Sequence, residues 1–175
     1  MGILQGTRPP PTRPDAERAP IRLGLARARF GPIDGAWWPY DRDTAGQLRA
    51  LVAELDGLLP QRVTRVNVQR SGWDDIPRRL SVSARVVSVG WFNSGDPNLI
   101  TVVTRDGITT QLLVIPPHTA EAAASTAMAI AMSGTNSAQP GAILAAGRAI
   151  SDDDEWPGAP TEAESVWLGE GGSRR

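Results

Sequence analysis

Three carboxylates, two adjacent indoles and an arginine crowd one short run, Gly31-Pro32-Ile33-Asp34-Gly35-Ala36-Trp37-Trp38-Pro39-Tyr40-Asp41-Arg42-Asp43. Further along, Trp73-Asp74-Asp75 is followed closely by Arg78-Arg79. Indole and guanidinium side chains make binding anchors because each buries a large area while keeping a polar handle. The expected ligand- or partner-binding set is therefore Asp34, Trp37, Trp38, Asp41, Arg42, Trp73, Asp74, Arg78 and Arg79. Two other chemistries draw on the same residues. Asp34, Asp41, Asp43, Asp74 and Asp75 can supply an acid–base pair of the glycosidase type, with Trp37, Trp38 or Trp73 as a stacking platform, or oxygen ligands for Mg²⁺ or Ca²⁺. Their spacing fits no calcium-loop pattern, and Asp34-Gly35 reads equally as a turn, Asp41 or Asp43 as a helix cap. Arg65, Arg70, Arg78, Arg79 and Arg85 near Trp73 make the mixture used to bind single-stranded nucleic acid. No phosphate loop or nucleic-acid motif accompanies them, and arginines flanking strands are ordinary.

Composition narrows the field. Cysteine is absent and His118 is the only histidine, which excludes thiolate nucleophiles and zinc sites built from imidazole or thiolate. His118 follows Pro116-Pro117 at an expected helix start, where it reads as a cap rather than a catalytic base. Lysine is also absent, so all 18 cations are arginines. Arginine forks onto phosphate, but coding bias in a GC-rich genome accounts for the same pattern. A net charge of -1 argues against nucleic acid as the partner. These exclusions favour a non-catalytic binding or regulatory module without a cofactor, metal or catalytic residue. Its partner would be a protein or a small ligand, with a carboxylate-based enzyme and a single-strand binder as the alternatives.

Charge is distributed unevenly. Residues 1–85 hold 14 arginines and 9 carboxylates, and residues 86–175 hold 4 and 10. Such asymmetry is compatible with an acidic tail that folds back on a basic face or meets a basic partner, and more readily with one that is simply solvated. Trp156 and Trp167 stand among those carboxylates as docking candidates. No apolar leader or membrane-length window occurs, so a soluble cytoplasmic protein without a membrane partner is expected.

The elements that must position these residues follow from periodicity. Residues 1–20 are rich in Pro and Arg and read as a disordered arm; residues 151–175 read as a disordered acidic tail; residues 21–150 form one domain. Apolar residues alternate over Ile21–Phe30, Arg62–Arg70 and Arg79–Phe92, the last with a parity switch that suggests a bulge at Val86–Val87. Leu99–Thr104 and Ile108–Ile115 flank Asp106-Gly107 as a hairpin. Leu48, Leu51, Val52 and Leu55 stripe a helix over Asp43–Leu59. An alanine-rich helix spans Thr119–Met132, and a shorter one Pro140–Ile150. The fold class is α+β, a mostly antiparallel sheet of about five strands with two or three helices packed on one face. Adjacent side chains in an extended segment point opposite ways. One indole of the Trp37–Trp38 pair should then seal the core while the other faces outward beside Arg42, although a local twist would let both seal it.

The runs Asp34-Gly35-Ala36-Trp37-Trp38-Pro39, Trp73-Asp74 with Arg78-Arg79, Asp96-Pro97, and Leu113-Val114-Ile115-Pro116-Pro117 resemble an uncharacterised actinobacterial family, domain of unknown function 5994. The resemblance covers roughly Ile21 to Ala146. It implies a small cytoplasmic protein, and it carries no activity, cofactor or catalytic residue with it. Tyr40 and His118 stand where that family is more polar or acidic, and the acidic tail is particular to this chain.

Overall fold

A computed structural model describes residues 20–27, 30–135 and 137–153. Most of the Pro/Arg arm, and the acidic tail from residue 154 with Trp156 and Trp167, lie outside the described residues. Seven strands form: β1 (Leu23–Leu25), β2 (Gly35–Trp37), β3 (Val63–Gln69), β4 (Arg79–Val82), β5 (Arg85–Phe92), β6 (Leu99–Thr104) and β7 (Thr109–Val114). They make one sheet in the order β1-β2-β7-β6-β3-β5-β4. β2 runs parallel to β7 and β3 parallel to β5, and the remaining pairs are antiparallel. The expected mostly antiparallel sheet of about five strands is thus a mixed sheet of seven, in which four of the six strand pairs are antiparallel and two are parallel.

Two local features account for the difference. Ser83 and Ala84 both adopt positive φ, at 45° and 61°, so residues 79–92 fold into a β4–β5 hairpin instead of one bulged strand. The parity switch belongs to that turn, and neither residue announces it, because such turns ordinarily use Asn or Gly. The second feature is β2, three buried residues inside the segment expected to be a loop. By contrast, the β6–β7 hairpin forms where expected, with Gly107 at φ 82°. A hydrogen bond from the Thr104 hydroxyl holds the Asp106 carboxyl in this turn below its ordinary pKa.

Helix α1 (Thr44–Leu58) buries Leu48, Leu51, Val52 and Leu55, the predicted stripe. Asp43 is its N-cap, its carboxylate accepting from the Gly46 N–H at 3.2 Å. Asp43→Ala should therefore lower stability by about 1 kcal/mol, measured by urea unfolding; no change would show that another group serves the helix end. Helices α2 (Glu121–Met132) and α3 (Pro140–Asp153) pack closely, since a Cβ on Gly147 would lie 2.6 Å from the Ala123 carbonyl oxygen. The last helix continues past Ile150 to Asp153.

The helices do not share one face. Along β7, Leu112 and Val114 join a core with Leu48, Leu51 and Leu55 of α1. Their neighbours Leu113 and Ile115 join a second core with Ala124 and Ala127 of α2 and Ile143 and Leu144 of α3. Successive strand residues point to opposite faces, so α1 covers one side and the α2–α3 pair the other. An unbroken apolar run in a strand requires exactly this double cover. On the α2–α3 side the cover stops partway: Arg65 of β3, Arg79 of β4 and Ser88 of β5 are exposed. On the α1 side, the Arg85 guanidinium pairs with Asp56 and also donates to the Val63 carbonyl.

Candidate functional site

β2, β7 and β3 run in the same direction, with β6 antiparallel between the last two. The segments after β2, β3 and β7 and before β6 therefore gather at one edge of the sheet. Between them lies a crevice of about 250 Å³, whose lining includes Arg42, Trp73, Asn98, Val114, Pro116 and His118. In open sheets this edge, beyond the carboxyl ends of parallel strands, is where ligands commonly sit.

Backbone hydrogen bonds hold the four segments together. The Ile115 N–H donates to the Trp37 carbonyl at 2.9 Å, and Val114 to Asn98 at 2.7 Å. Asp74 N–H donates to the Arg42 carbonyl at 3.3 Å, beside a parallel bridge between Asp43 and Asp74. The Thr44 hydroxyl also donates to the Asp74 carbonyl. Asp96 shapes the fourth wall, its carboxylate accepting from the Asn98 N–H at 2.9 Å. The floor is aromatic: Trp73 stacks on Trp37 with ring centroids 5.3 Å apart and planes inclined by 16°.

The rim carries the polar groups. Arg42 donates to the Ser71 carbonyl at 3.1 Å and pairs with Asp74 at 3.3 Å. Both side chains of that pair are largely exposed, so it orients the guanidinium more than it stabilises the fold. Asp41 accepts from the Asp43 N–H at 2.8 Å, and its residue lines the crevice. His118 is exposed and also lines it. It does not cap α2 as expected, because the cap is Ala120 and no side-chain hydrogen bond is made there.

The expected site residues divide into separate groups. Asp41, Arg42 and Trp73 line the crevice and Asp74 adjoins it. Asp34 lies at the other end of β2, where its carboxylate accepts from the Gln111 N–H at 2.8 Å. Arg78 sits over Trp91, 5.1 Å from the ring centre, whereas Arg79 is on the uncovered sheet face. Arg65, Arg79 and Arg85 are thus distributed over both sides of the sheet instead of forming one strip. The carboxylates are also dispersed: Asp34 is not brought to Asp41 and Asp74, and no group of three or more His, Cys, Asp or Glu could hold a metal ion among the described residues.

The outward indole is overturned. Trp37 and Trp38 do point to opposite faces, but each face is covered there, leaving them 1% and 9% exposed. Trp37 belongs to the α1 core and Trp38 to the α2–α3 core. Arg22 seals Trp38, its guanidinium 3.6 Å from that ring centre and 4.0 Å from that of Tyr40. The same guanidinium donates to the Pro39 carbonyl at 2.7 Å. Sequence reasoning passed over Arg22, Asn98 and the placement of His118. Only the position of Arg22 beside the Leu23–Leu25 alternation hinted that it would lie at the mouth of a strand pair.

These features define an α+β protein with helices on both sides of a mixed sheet and an apolar, polar-rimmed crevice at one sheet edge. Residues 21–131 match a family of unknown function, DUF5994, and the chain belongs to that family. No curated protein and no solved structure matches the chain. No described helix is long and apolar enough to cross a membrane.

Proposed function

We propose that this protein is a non-catalytic binding module whose ligand seat is the crevice between the ends of β2, β3 and β7. The observation that supports this most directly is the convergence of Asp41, Arg42 and Trp73 with Asn98 and His118 around one cavity. At about 250 Å³ it is slightly smaller than most drug-sized sites, which favours a small organic ligand over a folded partner. Trp73, Val114 and Pro116 offer a flat apolar wall. Arg42, Asn98 and His118 offer donors at the rim, so an aromatic or alicyclic body bearing a carboxylate or amide fits the chemistry best. A cytoplasmic setting goes with this reading.

Screening of aryl carboxylates and aryl amides by nuclear magnetic resonance tests the proposal. Binding fragments should shift the Trp73 indole and His118 ring signals together. Asn98→Ala and His118→Ala should each weaken them several-fold while leaving the fold intact, since both positions are at the rim. Fragments that instead perturb only the groove beside Tyr40 and Gln47 would move the site elsewhere. Turnover of any fragment would contradict the non-catalytic reading.

A further inference from the structure

We propose that residues 154–175 of this chain, the acidic segment with Trp156 and Trp167, dock across the uncovered half of the sheet. The register defines the surface. Arg79 pairs with Ser88, and Ser88 pairs with Arg65, so two guanidiniums flank one serine in a single cross-strand row. The adjoining row pairs Asn67 with Gly90, and the Asn67 side chain lies over the glycine in the space a Cβ would take. Val86 and Phe92 alternate with Ser88 and Gly90 on the same face and are 61% and 58% exposed. The strand positions of this face contain arginines and no carboxylate.

Complementarity identifies the occupant. Residues 154–175 carry Asp154, Glu155, Glu162, Glu164 and Glu170 against Arg174 and Arg175. Trp156 follows directly on an acidic run, matching the exposed Phe92 on the same strand as the Ser88 that the two guanidiniums flank. The starting point also fits, because the described part of α3 runs to Asp153 and α3 packs on this same side of the sheet. Twenty-two residues extend up to roughly 70 Å, whereas seven strands span only about 30 Å across. The segment therefore reaches every strand of the uncovered half. Docking would add an apolar contact at Phe92 and offset the unbalanced charge of Arg65 and Arg79.

The natural sequence lacks cysteine, so one introduced cysteine accepts a nitroxide at a unique place in the full chain. With the label at Ser88→Cys, the Trp156 indole proton should broaden several-fold more than with a label at Ala53→Cys on exposed α1. Arg65→Glu combined with Arg79→Glu should abolish the difference, while unchanged Trp37 and Trp73 signals confirm an intact core. Equal broadening from the two labels overturns the proposal, as does broadening that survives charge reversal. Full broadening in a mixture of isotope-labelled and separately spin-labelled copies would make the occupant a second copy and overturn docking within one chain. Retention of a single-stranded oligonucleotide on this face by the full chain would likewise make the segment the wrong occupant.

Discussion

Trp37→Ala is expected to be the most damaging single side-chain truncation, lowering stability by about 3–5 kcal/mol. Trp37 is 1% exposed and lies in the core formed with Leu48, Leu51 and Leu55. Its ring also stacks on Trp73, a contact worth on the order of 1 kcal/mol beyond burial. Truncation leaves a cavity beneath the crevice as well, so the melting temperature should fall by about 10 °C or more. Trp38 provides the contrast. Its Nε1 is buried with no hydrogen-bond partner among the described residues, and an unpaired buried donor is costly. Trp38→Phe removes that donor along with some volume, so it should cost less than Trp37→Phe in the same chemical-denaturation series. A reversed order would mean that the stacked pair is not the more tightly packed of the two.

Gly35→Ala should cost about 3 kcal/mol, near the top of the usual range for overpacking. A Cβ at Gly35 would run into the Gly24 carbonyl oxygen and lie 2.9 Å from the Leu25 Cα. Both obstacles are backbone, held in the β1–β2 ladder that pairs Leu25 with Gly35. The strands can relieve the clash only by separating. At Gly24 the same added methyl meets the end of the Met132 side chain, which is flexible and 40% exposed. Gly24→Ala should therefore cost well under 1 kcal/mol, because the sulfur can move away. Paired thermal melts of the two variants check this, and similar losses would show that β1 is free to shift.

Short-range physics was legible where a stretch carried one dominant pattern. The leucine stripe and Asp43 specify α1 and its cap. Asp106-Gly107 specifies the β6–β7 turn through the positive φ of Gly107, and the alanine run specifies α2. Legibility failed at β2 and at Ser83-Ala84. Three residues are too few to show a period, and the turn is imposed by the strand pairing around it rather than by its own residue preferences. For the site, Asp41, Arg42 and Trp73 were readable as a mixture of suitable chemistry. Asn98 and Ser71 were not, since the polar groups of a loop acquire a role only from what the fold sets beside them.

By itself the sequence determined the α+β class, the boundaries of most elements, the absence of thiol chemistry and the family to which the chain belongs. Each of these depends on local spacing or on composition, which folding leaves unchanged. The tertiary structure decided that both indoles of the pair are buried, that helices cover opposite faces, and that Asp34 is separated from Asp41 and Asp74. These outcomes depend on strand order, because the parallel pairing of β2 with β7 sets which loops meet at an edge and which faces α2 can cover. Strand order arises from contacts between residues far apart in the chain, and no local pattern encodes it.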